Sequence, residues 1–588
     1  MNSLLMRRTS VPALALALTF GCSDSGGSNT ASGGTGAGAT GGAAAGAGMA
    51  GKGGGSGGMS MTPSLGGSAG SVASGAGGGA GTPANGGSTA AGAGAPAGGA
   101  GGSLAGSSGA GGSSGTMASG SGGLGGSAGA VAISGLMIEP NPNSVLSCFV
   151  SWKTDVAASS AVQFGAGEYE WEISDEAPVT DHRVTVIGMH AATDYAIKAI
   201  SGAASAEGMF TTGALPSAIP VAMISINDAA RVQPGWTLMN MQKLDTAGAD
   251  PVIPNSTHPP AAVIYDEGGE PVWYYIDGTS PDNGGAVSTQ LTDVGILIGP
   301  TWNSQQKTGT PPREVDFAGN IVWECKHKAC TTQGSVSHHA AKLPNGHYIV
   351  NEDVTGSNDV KSPVWRELTS DSEEVWKLDV AALLPPPSDA RTDWCHGNSI
   401  TIDQEKNVVY ANCRWTGLLK TTYDNPTYQW FMPASCQNLG LGDITYMGSQ
   451  YVDSHDPEIH ADGTIIFFDN GGWNTRCMKD SYHSRVVEYQ VDEAAKKATL
   501  VWEFPGSFTP PDAWYDWYSP YWGDADRLAN GNVLVAAGVL SNNKESRVFE
   551  VGKEDGKVVY EMRFPKLYGM YRADRINPPL VHPIGQQG

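Results

Sequence analysis

The stretch VDFAGNIVWEC, residues 315–325, is a turn followed by an apolar run that contains a tryptophan. The same pattern returns along the chain at intervals of roughly 50 to 70 residues. Its six occurrences are marked by Trp273, Trp323, Trp376, Trp430, Trp502 and, more weakly, Tyr560. A repeat of this length suits one four-stranded sheet with its loops, close to the blade of a kelch-type propeller. The sequence therefore predicts an all-β fold in which residues 215–588 form a six-bladed β-propeller.

Four repeats also contain a strand, a tight turn and a returning apolar strand, which is the pattern of a β-hairpin. These hairpins occupy residues 337–350, 395–411, 454–468 and 522–536. Eight positions before the turn glycine lies His338 in the first hairpin and His455 in the third. His396 holds the same leading position in the hairpin between them. Three successive blades are thus predicted to carry a histidine at one structural position.

The innermost strands of a propeller surround one channel, so equivalent positions on neighbouring blades meet at one mouth of it. The three leading histidines are therefore expected in a common pocket. A single strand histidine is more often a hydrogen-bonded structural residue than a catalytic one, but three at one repeat position favour a functional site. His339 and His460 are competing candidates. Strand alternation argues against His339, because it points that side chain to the other face of its sheet.

A further member of the pocket comes from the hairpin of residues 393–415, whose turn is centred near Glu405. Arg414 and His396 are each nine residues from that centre, so they are expected to lie opposite each other. Imidazoles beside a permanently charged guanidinium suit an oxyanion such as sulfate or phosphate. Three histidines can also bind a metal ion, but the guanidinium would repel a cation. We therefore predict no metal and no other cofactor in this pocket.

The last repeat, near Tyr560, lacks a following inner hairpin of its own. A propeller is stable only when its first and last blades are joined, because an open ring leaves unpaired strand edges. We expect the segment of residues 219–241 to supply the missing strands and lock the ring.

Residues 131–214 consist of short runs in which apolar and polar residues alternate, separated by Pro, Asn and Gly. Trp152 lies on one of these runs and Tyr195 at the start of another. The spacing is typical of a small β-sandwich of the fibronectin type III kind. No residue in it suggests catalysis, so we predict that this domain is a spacer.

The first 22 residues contain two arginines, a short apolar run and Cys22 after a glycine, which are the features of a signal peptide processed at a lipobox. An ordinary secretory signal with a chance cysteine is the alternative. Residues 23–130 are almost entirely Gly, Ser and Ala, and such a chain is predicted to be a disordered tether spanning about 60 Å. We expect an exported lipoprotein, anchored to the outer membrane through Cys22 and facing the periplasm or the cell surface.

The formal net charge of −23 lies almost wholly after residue 130. Such an acidic domain is a poor partner for nucleic acid or for an anionic membrane surface. Any contact with a membrane is therefore expected only through the N-terminal lipid. An anion site in this protein must be locally basic.

The cysteines are typical of an oxidising compartment. Cys325 and Cys330 are close enough in sequence for a short bridge, and Cys436 is a candidate partner for Cys477. Cys395 and Cys413 share one face of the proposed hairpin, although their diagonal positions leave a bridge between them open. With Cys22 lipidated, seven cysteines remain, so at least one is unpaired, for which Cys148 is the candidate.

Three stretches carry a resemblance to a known family. They are SHHAAKLPNG (337–346), DWCHGNSI (393–400) followed by CRW (413–415), and SHDPEIHADGTIIFFDNGG (454–472). In these motifs the chain resembles the bacterial arylsulfate sulfotransferases, also called PAPS-independent aryl sulfotransferases. The resemblance covers roughly residues 215–580, and that family has the same layout of a small N-terminal domain before a six-bladed propeller.

The resemblance implies transfer of a sulfuryl group from a phenolic sulfate ester to a phenol, by a ping-pong route through a sulfohistidine. It implies that His455 is the nucleophile and His396 the general acid and base. The other implied site residues hold the sulfuryl oxygens or the substrate: His338, Arg414, Asn398 and Asn470. Two alternatives stay open. One is a non-catalytic, surface-tethered propeller that binds a sulfated or glycan ligand, and the other is a sulfatase-like hydrolase.

Overall fold

The computed structural model describes most of the chain after residue 130, and all statements below concern these described residues. They are residues 18–19, 131–244, 260–277, 288–303, 308–331, 336–356, 359–386, 392–436, 440–472, 483–505, 518–540 and 545–584. This part of the chain is almost entirely β-structure, with two short helices, Lys328–Thr331 and Val380–Leu383. The predicted all-β class is confirmed. Neither helix is long and apolar enough to cross a membrane. The predicted lipidation site, Cys22, and the predicted tether of residues 23–130 lie outside the described residues.

The first sheet of the folded part, called the N-terminal sheet, is built on two long antiparallel strands. Its strands are Ile133–Pro140, Cys148–Gly165, Trp171–Val186, Asp194–Ser201, Ala204–Thr211 and His582–Pro583. Trp152 is buried and stacks on His182 with ring centroids 4.7 Å apart. Its indole N–H donates to the hydroxyl of Ser201 at 2.9 Å. Trp152, chosen from its position in the sequence, thus lies in the core of this domain.

Six sheets, numbered here in chain order, follow within the described residues. Sheet 1 contains Trp236–Lys243, Ala261–Tyr265, Pro271–Ile276, Tyr568–Gly569 and Ala573–Ile576. Sheet 2 contains Thr289–Leu291, Gly295–Ile298, Arg313–Asp316 and Ile321–Glu324, with a small ribbon of Thr301–Asn303 and Thr308–Thr310 after its second strand. Sheet 3 contains Val336–Lys342, Tyr348–Thr355, Lys361–Leu368 and Glu374–Asp379.

The remaining three sheets have the same antiparallel plan with one added strand each. Sheet 4 contains Leu18–Thr19, Gly397–Asp403, Val408–Cys413, Gly417–Thr421 and Tyr428–Pro433. Sheet 5 contains Thr445–Met447, Ser454–Ile459, Thr464–Asp469, Arg485–Asp492 and Lys497–Phe504. Sheet 6 contains Met223–Asn227, Asp524–Arg527, Val533–Ala537, Arg547–Gly552 and Lys557–Arg563. The four predicted hairpins are the first two main strands of sheets 3 to 6.

The turns of these hairpins follow from their sequences. Gly346, Gly463 and Gly531 adopt φ angles of 83°, 81° and 87°, a left-handed conformation that glycine reaches without a steric penalty. The hairpin of sheet 4 has no glycine at its turn, and Asn407 adopts the left-handed conformation there, with φ 55°. Asparagine tolerates that conformation better than most residues. The three glycine turns have the same three-residue loop, whereas the hairpin of sheet 4 has a loop of four residues between Asp403 and Val408.

Buried apolar side chains join each of the six sheets to the next. The contacting layers include Ile264 with Ile296, Leu297 with Val350, Trp365 with Ile400, Trp430 with Phe467, Phe468 with Phe549, and Met562 with Met239. The core therefore lies between sheets that pack face to face, and the last pair joins sheet 6 to sheet 1.

The repeat tryptophans make the same contact in successive sheets. In four sheets the indole Nε1 donates to a backbone carbonyl of the following sheet: Trp273 to Phe317 (3.0 Å), Trp323 to Ser370 (3.0 Å), Trp376 to Tyr423 (2.6 Å) and Trp502 to Lys553 (3.0 Å). The Tyr560 hydroxyl donates to the carbonyl of Glu267 in sheet 1, at 3.1 Å. Trp430 is buried without such a bond among the described residues.

Strand pairing also joins the two ends of this region. Met223–Asn227 pairs antiparallel with Lys557–Arg563 at the edge of sheet 6, and Trp236–Lys243 pairs with Ala573–Ile576 in sheet 1. The segment of residues 219–241 thus supplies one strand to each of these sheets, but the innermost strand of sheet 1 comes from residues 573–576 and not, as predicted, from this segment. Because each partner comes from the far end of the chain, sheet 1 and sheet 6 are held together by backbone hydrogen bonds as well as by their core.

Two of the considered disulfides are present. Cys325 bonds to Cys330, and Cys395 bonds to Cys413 with their Cα atoms 4.4 Å apart. Cys148 is buried and free, as predicted. Cys477, the predicted partner of Cys436, lies outside the described residues. The Cys395–Cys413 bridge ties together the open end of the hairpin that carries His396 and Arg414.

Candidate active site

The three leading histidines lie where the first strands of sheets 3, 4 and 5 have an irregular register, that is, at β-bulges. The backbone is left-handed at His338 (φ 65°) and Asp456 (φ 43°), within the bulges of sheets 3 and 5, and at His396 (φ 55°), directly before the strand whose register shifts between Gly397 and Ser399. Each such conformation in a residue other than glycine costs about 1–3 kcal/mol and persists only where the surroundings enforce it. A bulge also redirects the side chains around it. The strained positions therefore coincide with the residues predicted to form the site.

His338 and His396 form a contacting pair from neighbouring sheets. Their Nε2 atoms are 3.2 Å apart, and their ring planes cross at 75°. Nδ1 of His396 lies 2.5 Å from a carboxylate oxygen of Asp393, and Nδ1 of His338 lies 2.7 Å from the hydroxyl oxygen of Ser337. That hydroxyl donates to Asp353 at 2.7 Å. Each Nδ1 therefore carries a hydrogen and donates it to an oxygen.

The protonation of this pair follows from those bonds. Because both Nδ1 atoms donate, a neutral ring has no hydrogen on Nε2, and a hydrogen bond between the two Nε2 atoms requires one additional proton. Burial, followed by the charges of His396 and Arg414, holds the pKa of His338 well below its ordinary value. The additional proton is therefore assigned to His396, which has the Asp393 carboxylate beside it. A ring held in this way can give a proton to a ligand and take it back.

His455 has its orientation set by Asn470. The amide Nδ2 of Asn470 donates to the carbonyls of Ser519 and Trp522, both at 2.9 Å. Its Oδ1 must therefore be the acceptor toward Nδ1 of His455, which lies 2.6 Å away. The hydrogen of the neutral imidazole is thus on Nδ1, and Nε2 keeps its lone pair. Nε2 is the nitrogen of His455 that can act as a nucleophile.

Arg414 is buried beside the histidines. Its Nε donates to Asp453 at 3.1 Å, its Nη2 to the carbonyl of Pro520 at 2.5 Å, and its guanidinium lies 4.1 Å from the ring centre of Trp415. Its backbone N–H donates to the carbonyl of His396 at 3.2 Å, so the two residues lie opposite each other as the hairpin predicts. Nη1 makes no hydrogen bond within the described residues, and its N–H groups are left for a ligand.

These four side chains share one pocket. Burial, and then the charge of Arg414, holds the pKa of His455 well below its ordinary value, and His396 and His338 act in the same direction. Charges act this strongly only over short distances in a buried site. His455 is therefore surrounded by the guanidinium and the other two imidazoles, and it is neutral at neutral pH.

Asn398 is buried between sheets 4 and 5, where both ends of its amide bind protein. Its Nδ2 donates to the carbonyl of Ser454 at 2.9 Å, and its Oδ1 accepts from Asn412 at 2.7 Å. Ser454 directly precedes His455 in the chain. Asn398 therefore holds the backbone that carries His455.

The two competing histidines lie apart from this arrangement. His339 packs edge-on against Trp365, with ring centroids 5.2 Å apart, inside the core between sheets 3 and 4. His460 lies 3.4 Å from Glu458, and burial lowers its pKa to about 4. Both rings thus have partners, Trp365 and Glu458, outside the four side chains of the pocket.

Several residues of the site were not chosen from the sequence. Asp393 stands three residues before His396, a spacing that could have suggested it as the partner of Nδ1. Asp353 acts on His338 only through Ser337. Tyr571, whose ring centre is 5.5 Å from that of His455, comes from the C-terminal segment after the last repeat. Nothing in the repeat pattern points to that contact.

A group of carboxylates lies next to the histidine pocket. One carboxylate oxygen from each of Asp456, Asp524 and Asp526 lies within 4.8 Å of the others. In the part of the chain that the structure describes, this is the group whose ligand atoms are close enough to share a metal ion. Asp456 and Asp524 hold the same position relative to the glycine of their hairpin turns, a signal that the sequence contained.

The structure thus defines an all-β protein with a buried pocket of three imidazoles and a guanidinium, a composition suited to binding and transferring an oxyanion. The family model described as Arylsulfotransferase (ASST) matches residues 227–572. This match covers more than half of the chain and contains all the residues of the pocket named above. The chain belongs to the arylsulfotransferase family, which supports aryl sulfotransferase activity in general, with aryl sulfates and phenols as substrates.

Solved structures show weaker likenesses. A quinonprotein alcohol dehydrogenase-like protein from Bacteroides thetaiotaomicron is 10% identical over 73% of this chain and 94% of that chain, with a TM-score of 0.30. The lignostilbene dioxygenase of Pseudomonas brassicacearum is 9% identical over 60% of this chain and 94% of that chain, with a TM-score of 0.27. No argument is based on similarities of this size. No curated protein matches the chain.

Proposed function

We propose that this protein transfers a sulfuryl group from a phenolic sulfate ester to a phenolic acceptor, through a sulfohistidine formed at Nε2 of His455. The observation that carries the proposal is the hydrogen bond between Nδ1 of His455 and Asn470. It leaves the lone pair of Nε2 for attack on sulfur, in a pocket shared with Arg414 and the His338–His396 pair. No nucleotide donor such as PAPS is required, because the ester itself supplies the group.

The first half-reaction forms the covalent intermediate. Nε2 of His455 attacks the sulfur of the aryl sulfate, the new N–S bond forms, and the S–O bond to the aromatic ring breaks with its electron pair leaving on oxygen. The additional proton of the His338–His396 pair passes from His396 to that phenolic oxygen. The phenol then leaves, and His455 carries the sulfuryl group.

The second half-reaction reverses these roles. His396, now without its additional proton, takes the hydroxyl proton of the acceptor phenol. The phenolic oxygen attacks sulfur, the N–S bond breaks, and its electron pair returns to Nε2 of His455. Both histidines then have their starting protonation, so atoms and protons balance over the cycle.

The remaining groups hold the substrate and the nucleophile. In the proposal, Nη1 of Arg414 faces the sulfuryl oxygens, where negative charge redistributes in the transition state. His338 was predicted to hold a sulfuryl oxygen, but its Nε2 carries no hydrogen and accepts from Nε2 of His396, so we propose that His338 orients the proton donor. Asn470 and Asn398 were predicted to bind substrate. Because their amides bind His455 and the backbone of Ser454, we propose that both position the nucleophile.

We further propose that sheets 1 to 6 are the blades of a six-bladed propeller and that the N-terminal sheet is a fibronectin III-like sandwich. Pairing of sheet 6 with residues 223–227, and of sheet 1 with residues 573–576, supports a closed ring. Sulfuryl transfer would then take place at one end of the central channel. We also retain the proposal of an exported lipoprotein, anchored through Cys22.

Steady-state kinetics with two substrates test this function. The purified full chain is assayed for release of 4-nitrophenol from 4-nitrophenyl sulfate over a grid of donor and phenol concentrations. We expect parallel double-reciprocal lines, as a ping-pong route requires, and sulfated phenol equal to the nitrophenol released. Nitrophenol release that does not depend on phenol and yields free sulfate would indicate a hydrolase. No release by the folded protein would favour the non-catalytic ligand-binding alternative.

A further inference from the structure

A second charged feature lies on the first strands of sheets 5 and 6 and on the closing strand of sheet 1. Asp456 and Asp524 each lie seven residues before their turn glycine, and Glu458 and Asp526 each lie five residues before it. The triplet Ala-Asp-Arg at 525–527 returns at 573–575, which adds Asp574. Residues two apart on a strand share a face. Three adjacent strands thus bring five carboxylates together.

The closest part of this cluster has dimensions that suit a bound cation. One carboxylate oxygen from each of Asp456, Asp524 and Asp526 lies within 4.8 Å of the others. Asp456 and Asp524 are buried, with 2% and 1% of their surface exposed. Calcium binds oxygen ligands at about 2.3–2.6 Å, so two of its ligands are at most about 5 Å apart. The three oxygens fit around one such ion without a change of strand pairing.

The protein offers few positive charges to these carboxylates. Arg572 pairs with Asp456. The guanidinium of Arg527 is directed to Asp462 and Glu488, and that of Arg575 to Glu550. Among the described residues, Arg572 thus pairs with Asp456 and acts on Asp574 through its charge, and Arg527 acts on Glu458 through its charge while pairing elsewhere.

Other contacts to the cluster come from the backbone and from one imidazole. Glu458 accepts the backbone N–H of Arg527 at 2.8 Å and lies 3.4 Å from His460. Asp524 accepts the backbone N–H groups of Ala525 and Ala573, at 2.9 and 3.2 Å. These bonds satisfy individual oxygens but add no full positive charge. A buried group of carboxylates needs more compensation than this.

An unsatisfied oxygen lies beside the three aspartates. Oδ2 of Asp574 makes no hydrogen bond within the described residues, although the side chain is only 8% exposed. The negative charge of Asp574 acts directly on Asp526, and that of Asp524 on Asp574, so this carboxylate faces the cluster. Buried polar atoms are nearly always hydrogen-bonded or bound to an ion. The oxygen therefore points, independently of the three aspartates, to a ligand between them.

We propose that Asp456, Asp524 and Asp526 bind one divalent cation of the calcium type, with Asp574 completing the site. Carboxylate oxygens alone favour a hard cation over a transition metal. The site goes beyond the sulfuryl transfer proposed above and does not depend on it. Because Asp456 directly follows His455, the ion would also hold the strained bulge that carries the nucleophile.

Calorimetry of the full chain tests the site without reference to activity. The protein is treated with a chelating resin and then titrated with calcium chloride. Its Tm is also measured with and without about 1 mM calcium, a concentration on the order of the dissociation constants of the weakest calcium-binding modules. We expect one ion per chain and a higher Tm with calcium. D526N should weaken calcium binding by at least about tenfold. D555N, which removes a half-buried carboxylate that pairs with Arg231 on a turn of sheet 6, should bind calcium as the unmodified protein does.

Two outcomes would overturn the proposal. In the first, the chelated and folded protein gives no heat of binding and no change of Tm when calcium, magnesium or manganese is added. Protons alone would then neutralise the cluster. The other is unchanged binding in D526N. If D526N does not fold, D574N replaces it, because Asp574 makes no hydrogen bond among the described residues that its loss could break. The calcium response of the unmodified chain remains decisive in every case.

Discussion

At the scale of single residues, the proposed mechanism depends on where His455 and His396 hold their protons. Asn470 fixes the tautomer of His455, because its own Nδ2 is committed to two backbone carbonyls. His396 holds a proton between Asp393 and His338. These two arrangements assign opposite tasks to similar side chains: one ring keeps a lone pair, and the other keeps a transferable proton.

Replacing Asn470 by alanine should therefore lower kcat far more than it changes KM. Without the acceptor for Nδ1, His455 can hold its hydrogen on Nε2, which then cannot attack sulfur. Loss of tautomer control in a comparable catalytic histidine costs up to about ten-thousandfold, and we expect a loss of at least about a hundredfold here. Steady-state kinetics measure it. A larger change in KM than in kcat would instead support the direct substrate-binding role first predicted for Asn470.

The first half-reaction should depend on His396 more for a poor leaving group than for a good one. With phenyl sulfate, whose leaving group needs protonation, H396A should release phenol far more slowly than the unmodified protein, and the loss with 4-nitrophenyl sulfate should be smaller. Burial holds the pKa of His338 well below its ordinary value, so His338 stays neutral and should add no loss of rate between pH 7 and 6, a window around the ordinary histidine value. Rapid-quench kinetics measure these rates. Equal losses with the two esters in H396A would rule out His396 as the proton donor.

At the scale of structural elements, the hairpin of sheet 4 was predictable and its bulge was not. Equal distances from Glu405 placed Arg414 opposite His396, and the two residues do lie opposite each other. Near the turn, however, Asp403 pairs with Val408, and only the shift between Gly397 and Ser399 brings the register to the predicted one. The left-handed conformation of His338 and His396 has no such signal, since neither residue favours it. Cys395 and Cys413 form a disulfide next to this bulge. Their diagonal positions on a regular hairpin had left that disulfide open.

The Cys395–Cys413 bridge should stabilise the fold by about 3 kcal/mol, because it closes a loop of 18 residues next to the site. Replacing both cysteines by alanine should lower the free energy of unfolding by about that amount in urea titrations. The matched control is the alanine pair at Cys325 and Cys330, whose separation of five residues makes the expected loss smaller, about 2 kcal/mol. An equal or larger loss in the control would contradict a loop-closure origin.

At the scale of the whole molecule, the repeat was readable because four sheets reuse one tryptophan contact and Tyr560 makes the corresponding contact in sheet 6. The tryptophan pattern identified all six sheets, and the segment of residues 219–241 was expected to close the ring. Contacts that cross the repeat at long range were missed. Asp574 reaches the aspartates of sheets 5 and 6 from the C-terminal segment, and a pattern within one repeat cannot show which three strands meet.

The tryptophan contacts between sheets give a paired test of this plan. Trp273 and Trp430 are both 1% exposed, but only Trp273 donates to the next sheet, at the carbonyl of Phe317. Trp273→Phe leaves that carbonyl unsatisfied and should cost about 1–3 kcal/mol more than Trp430→Phe. Urea unfolding of both variants measures the difference. Equal losses would show that only the volume of the indole matters.

Covalent transfer of the sulfuryl group through His455 is tested by peptide mass spectrometry. The full chain is mixed with 4-nitrophenyl sulfate, quenched within the first turnover under mildly alkaline conditions, and digested. We expect the added mass of one SO₃ group on the peptide that contains His455. This added mass should disappear after addition of phenol and should be absent in H455A. An unmodified His455 peptide from folded protein that is releasing nitrophenol would contradict the sulfohistidine.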